Sequence, residues 1–261
     1  MASRPSDQCK DLIELQHGVV ARWQLGGRTS DLVLADTCLR SGRWRAMYRG
    51  VYAAYTGQPS RTSTLWAGVR RCGPEAALSH FTAAELDGIL DGRADAIHVT
   101  VPEAARIRFA SWELRNGLPR IIVHRSPRLD AARHPARTPP RTRVEETVLD
   151  LTDVARDFDT AFSWLSATCG RRLSTAEQIG AAASARARLR WRRDILEALA
   201  QISGGVMSVL EHRYVRNVER PHGLPVPRRR ARTRRGTKSA YLDNHYAGSG
   251  LVVELDGLAS H

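Results

Sequence analysis

Three carboxylates close to the C-terminal end have the types and spacing to hold a metal ion. Asp243 lies in the segment YLD, and Glu254 and Asp256 lie in LVVELDG, all behind the arginine run RRRARTRR. In LVVELDG, Leu251, Val253 and Leu255 alternate with Val252, Glu254 and Asp256, so a β-strand here puts both acids on one face. If YLD forms the neighbouring strand, Asp243 joins Glu254 in a hard, oxygen-lined site of the kind that suits Mg²⁺ rather than a softer metal. An ion held there would activate water and stabilise a phosphoryl transition state. LVVELDG by itself better fits a second reading, an edge strand whose outward acids discourage aggregation, and it is the pattern as a whole that shifts the balance.

The charge balance points to a phosphate-bearing partner. Forty Lys and Arg stand against 27 Asp and Glu, a formal net charge of +13, and nearly all the cations are Arg, the residue suited to bidentate phosphate contacts. The other reading is an Arg-rich surface that only solubilises the chain. Cys9, Cys38, Cys72 and Cys169 are far apart, without a C-x-x-C pair, and read as reduced thiols. His80, His98 and His124 lack regular ligand spacing and read as packed or hydrogen-bonded histidines without assigned chemistry. No apolar run approaches the ~20 residues a bilayer requires, and Met1 to Lys10 is polar, so the expectation is a cytoplasmic protein without membrane attachment.

The elements that must position these residues begin with a helix over 9–17, capped at Gly18. A second short helix is expected over 21–25, before Gly26-Gly27, and a third from Thr29-Ser30 to about Ser41, with Leu32, Ala35 and Leu39 on one face. RWRAMYRGVYAAY, residues 43–55, suits a hairpin turning at Arg49-Gly50. Helices followed by a hairpin is winged-helix order. That order sets the third helix in a major groove and makes Arg28, Arg40, Arg43, Arg45 and Arg49 the expected phosphate contacts. Asp31 and Asp36 lie on the same helix, and compact modules of this kind also dock proteins.

Beyond the hairpin the pattern is mixed: helices near 62–71 and 82–90, strands at 96–102 and 120–124, and a Pro- and Arg-rich connection over 125–143. Capping boxes at Thr142/Glu145 and Ser174/Glu177 open a largely helical stretch over 143–201. Helical spacing resumes through SVLEHRYVRNVER, with Glu211 inside it, until Pro221 and Gly223. Arg228, Arg229, Arg230, Arg232, Arg234, Arg235 and Lys238 follow, either as a cradle for a DNA backbone or as a disordered basic loop. The expected fold class is α+β. The expected divisions are a winged helix at 1–57, a mixed α/β connecting domain at 58–140, a helical segment at 141–203 and an α/β core at 204–261.

Glu211, then YLD with Asp243, then VVELDG with Glu254 and Asp256, and a closing His261 resemble the very-short-patch-repair-like branch of PD-(D/E)XK endonucleases. The resemblance spans about fifty residues. It implies Asp243 and Glu254 as Mg²⁺ ligands, Asp256 where many relatives have Lys, Glu211 as the helix acid and His261 as an auxiliary group. VVARWQLGGRTSD, LRSGRW and YRGVYA resemble the winged-helix domain of AbiEi-family antitoxins, and chains joining the two are familiar from actinobacteria. Relatives continue past the ELDG strand, so an incomplete restriction-endonuclease-like core is expected here. Together the two resemblances imply a DNA-binding protein of toxin-antitoxin or defence type with an endonuclease-like tail. A non-enzymatic repressor or antitoxin, and a docking antitoxin that neutralises a partner toxin, remain as alternatives.

Overall fold

In the computed structural model the described residues are 6–26, 29–114, 117–235 and 238–255, with backbone alone for residue 114 and residues 230–241. The fold is α+β, as expected, and divides into units Met1–Thr147 and Val148–His261.

The first unit opens with α1 (Asp7–Leu15), where the Ser6 hydroxyl accepts from Cys9 N. Asp31 in turn accepts from Ser6 N at 3.0 Å and from Ser6 Oγ at 2.5 Å. Asp31 is therefore a buried tie between helix starts, not a charge displayed to a partner. Next come β1 (Val19–Ala21), a 3₁₀ turn (Arg22–Gln24), α2 (Thr29–Arg40) and the hairpin β2 (Arg45–Tyr48) and β3 (Val51–Ala53). The hairpin turns at Arg49-Gly50, where Gly50 has φ +71°, a conformation glycine adopts without penalty. The helix expected over 21–25 is instead a strand end and one 3₁₀ turn. Val19, Val20 and Ala21 are fully buried and pair with β3 in the antiparallel order β1-β3-β2, so ladder bonds and burial on both faces override local helix preference.

That small sheet has a core on each side. Cys9, Val20, Leu25, Leu34, Ala35, Cys38, Trp44 and Tyr52 pack together on one side. On the other, Val19, Met47, Val51 and Ala53 pack with Leu65, Trp66 and Val69 of α3 (Arg61–Cys72) and with Ile97 and Val99. The hairpin module and the region after residue 57 thus share one core, and the expected division at 57/58 is not a break in packing. Gly18, at φ +85°, leads into β1, and a Cβ there would stand 2.4 Å from Tyr55 Cε1. Gly18→Ala is expected to destabilise by about 1–3 kcal/mol, read from denaturant melts, through left-handed strain and the displaced ring.

The rest of this unit is β4 (Ala77–Leu78), α4 (His80–Asp87), β5 (Ile97–Pro102), β6 (Ile121–Ser126) and α5 (Leu129–Ala132), with α6 (Val144–Val154) following. The sheet order is β4-β5-β6, with β5 and β6 parallel. The helix expected near 62–71 and the strands expected at 96–102 and 120–124 lie within two residues of expectation, the helix expected near 82–90 ends three residues early at Asp87, and β4 and α5 are additional.

The second unit contains α7 (Phe158–Gly170), α8 (Ala176–Ala185), α9 (Arg192–Ser203) and α10 (Val209–Tyr214), a π-helical turn (Val215–Glu219) and the meander β7 (Arg228–Arg235), β8 (Lys238–Tyr246) and β9 (Leu251–Val253). The capping box before α8 is Thr175/Gln178, one residue beyond the expected pair. The Thr142 hydroxyl meets Thr147 Oγ1 at 2.7 Å. The arginine run, read as a cradle or a disordered loop, is a strand paired along β8.

Burial pushes the Cys9 thiol up to about 11 and the Cys72 thiol to about 12, as suits inert, reduced cysteines. Among the described residues, no helix is long and apolar enough to cross a membrane.

Candidate functional site

Arginines from four separate segments of the first unit converge on a cleft of about 680 Å³. Arg22 and Trp23 come from the 3₁₀ turn, Arg49 and Gly50 from the hairpin turn, Arg70 and Arg71 from the last turn of α3, and Arg106 and Arg108 from the stretch after β5. In ARIRF, Ala105, Ile107 and Phe109 pack against the core, so period-two alternation turns Arg106 and Arg108 outward.

These cations are not equivalent. Arg22 is paired with Asp36 at 2.7 Å, and Arg71 with the buried Glu113 at 2.6 Å. Arg70 has no carboxylate against it among the described residues. Its guanidinium lies 4.7 Å from the Trp66 ring centroid and 5.8 Å from that of Trp23, and its Nε donates to Gln16 Oε1. Burial, and then the charge of Arg133, draw its pKa down to about 10, which leaves it charged at neutral pH. A desolvated cation facing a cleft without an acid of its own is a place for an external anion.

Glu113 sets the frame of the cleft. Besides Arg71, its carboxylate accepts from Arg49 N at 2.9 Å and Ala110 N at 2.6 Å, so one buried acid fixes the hairpin turn, the end of α3 and the Arg106–Arg108 stretch. Beside the cleft, α2 contributes Leu32 to the lining and turns Ser30, Val33, Thr37 and Arg40 to solvent, a short polar and apolar face of the kind that contacts base edges. Trp23, 46% exposed, adds an aromatic surface.

No family model matches the chain, and no curated protein matches it in sequence. Among solved structures it is similar to the RV2827C protein from Mycobacterium tuberculosis, at 17% identity over 77% of this chain and 80% of that chain, with a TM-score of 0.44.

Of the five arginines expected to meet DNA at the N-terminus, Arg49 lines the cleft. Arg40 and Arg43 are exposed elsewhere, Arg45 is half-buried with Nη1 3.4 Å from Gly57 O, and Arg28 lies outside the described residues. Arg22, Arg70, Arg71, Arg106 and Arg108 were not anticipated; the R-x-R alternation in ARIRF is the one local signal that could have shown two of them. In the basic strand, Arg228 is exposed, but Arg229 is buried against Glu219 at 2.5 Å and is not available to phosphate. Tyr246 Oη donates to the same Glu219 at 3.2 Å, which explains why the pair is held inside. The side chains of Arg230, Arg232, Arg234, Arg235 and Lys238 lie outside the described residues, as do Asp256 and His261.

The carboxylates of the tail are partly brought together. β8 and β9 pair Asn244 with Val253, the last residue of β9, so Glu254 follows the strand instead of lying on it as expected, and Asp243 and Glu254 each lie one residue beyond that pair. Asp243 Oδ2 accepts from Leu255 N at 2.9 Å, which leaves one of its oxygens for a cation beside the exposed Glu254. Two such carboxylates fit a water-rich Mg²⁺ site. Glu211 is occupied differently: its carboxylate accepts from Met207 N at 2.8 Å while Ser208 Oγ accepts from Glu211 N, so it closes the start of α10. Among the described residues Glu211, Asp243 and Glu254 do not form a three-residue grouping within ligand reach. The grouping that does is His80, His98 and His124, whose ligand atoms lie within 4.8 Å of one another.

Proposed function

We propose that this chain binds DNA through the arginine cleft and the exposed face of α2, in a cytoplasmic toxin-antitoxin or defence setting. The observation that carries this reading is Arg70, desolvated and without a carboxylate, among Arg49, Arg106 and Arg108. Phosphates would take the guanidinium groups, while Ser30, Val33, Thr37 and Arg40 reach base edges. With four unpaired arginines on phosphates, the slope of log K against log salt is about −3.6, and affinity falls roughly a hundredfold from about 50 to about 200 mM salt. Fluorescence anisotropy with labelled duplex DNA reads this directly. Arg49→Ala/Arg108→Ala should flatten the slope by about 2. Binding that ignores salt, or a double variant indistinguishable from the parent, would remove the reading and favour a module that docks a toxin protein.

The hydrogen bond from Leu255 N to Asp243, which holds Asp243 beside the chain that follows β9, favours a second activity, Mg²⁺-dependent phosphodiester hydrolysis in the tail, in which Asp243 and Glu254 would hold the ion and the ion would supply activated water. Plasmid nicking in Mg²⁺ should then vanish in Glu254→Gln and Asp243→Ala while anisotropy is unchanged. Equal nicking by parent and variants would discard it and leave a non-enzymatic repressor or antitoxin.

A further inference from the structure

We propose that His80, His98 and His124 form a binding site for a borderline transition-metal ion, Zn²⁺ foremost, distinct from both the arginine cleft and the tail carboxylates. The three come from the first residue of α4 and from the parallel neighbours β5 and β6. Ile97, Val99 and Val101 face the core, so alternation turns His98 and Thr100 to the other side of the sheet, where His124 and His80 meet them.

Nδ1 of His98 and Nε2 of His124 share a hydrogen bond at 3.0 Å, and the rings of His80 and His124 stack with centroids 3.6 Å apart. Two imidazole nitrogens on one tetrahedral ion, at metal–nitrogen distances near 2.0–2.1 Å, stand roughly 3.3 Å apart, so an ion exchanges the hydrogen bond for two coordinate bonds with little opening. His80 Nδ1 is 2.9 Å from Ser79 Oγ, which accepts from Thr100 Oγ1 at 2.7 Å. That contact orients His80 so that Nε2 can serve as the third ligand atom, the outer-shell support that metal-binding histidines ordinarily have. His80 is held at φ +47°, a backbone state uncommon outside glycine.

Burial, then the charge of Arg120, keeps His98 below its ordinary value, and burial, then His98, draws His124 down to about 4. The grouping contains neither carboxylate nor thiolate, which leaves a fourth position to water or another small donor and disfavours Mg²⁺.

The test is titration of the untagged full chain with Co²⁺, read by the visible absorption of a tetrahedral ion, and with Zn²⁺ by calorimetry. The expected result is one equivalent bound, with affinity reduced at least roughly a hundredfold in His98→Asn and His124→Gln, and unchanged in His222→Ala. Zn²⁺ should also raise the thermal midpoint of the parent but not of His124→Gln, a comparison that requires both to be folded by near-UV circular dichroism. Absence of stoichiometric binding by the folded parent, or binding retained in a folded His124→Gln variant, overturns the proposal.

Discussion

Glu113→Ala is expected to cost about 3–5 kcal/mol of folding stability, because it leaves the buried Arg71 guanidinium without its counter-charge. The loss is larger than that of an ordinary surface ion pair. Side-chain exposure is 10% for Arg71 and 1% for Glu113, and the Arg49 and Ala110 N–H groups would lose their acceptor in the same step. Burial alone would raise the Glu113 carboxyl, but the hydrogen bonds from Arg71, Ala110 N and Arg49 N outweigh it and hold the group below its ordinary value. A carboxyl depressed in the folded state contributes stability above its unfolded value, near pH 4–4.5, and loses that contribution as pH falls through the folded value. The gap between parent and variant in urea melts should therefore be full at neutral pH and shrink below about pH 4. The lowered His98 and His124 add an acid loss that begins near their unfolded value of about 6.5, but it is common to both proteins and cancels in the difference. A gap that stays the same down to strong acid would mean that Glu113 acts through packing and not charge.

Arg70→Met is expected to separate stability from binding. Methionine keeps the apolar stem against Trp66 and removes a half-buried cation that has no carboxylate partner among the described residues, so stability should change by less than about 1 kcal/mol, or rise. DNA affinity should fall by about 1.5–3 kcal/mol, roughly ten- to a hundredfold, the worth of a charged hydrogen bond made at a desolvated position. Arg43→Ala, equally cationic and exposed but not lining the cleft, should reduce affinity far less. If both variants weaken binding alike, net charge and not the cleft is responsible. If Arg70→Met unfolds the protein, Arg70 is a packing residue whose hydrogen bond to Gln16 supports the core.

What could be read from the residues alone was whatever short-range physics fixes. Gly50 at the hairpin turn, the start of α2 at Thr29, the apolar strands over 97–102 and 121–126, and the helices after residue 143 are each specified by neighbours within one or two turns. The pairing of β8 with β9 was legible for the same reason, since alternation and a short connection leave adjacent antiparallel strands few registers, although β9 ends at Val253, before Glu254. Local signals failed where a distant partner outbid them. Val19–Ala21 became a strand because β3 offered a ladder and two cores offered burial. The cap before α8 moved from Ser174 to Thr175, where STAEQ offers either pairing and helix register decides. The arginine run, which by composition resembles a solvated loop, became a strand because β8 pairs with its whole length and Glu219 neutralises Arg229.

The α+β class, the basic charge and the helix–hairpin order were set by composition, periodicity and turn residues. The arginine cleft and the histidine grouping were decided by tertiary structure alone. Arg22 and Arg108 are 86 positions apart and His80 and His124 are 44 apart. No periodicity links such residues; only the packing of α3, α4 and two small sheets brings their side chains within reach of one ligand.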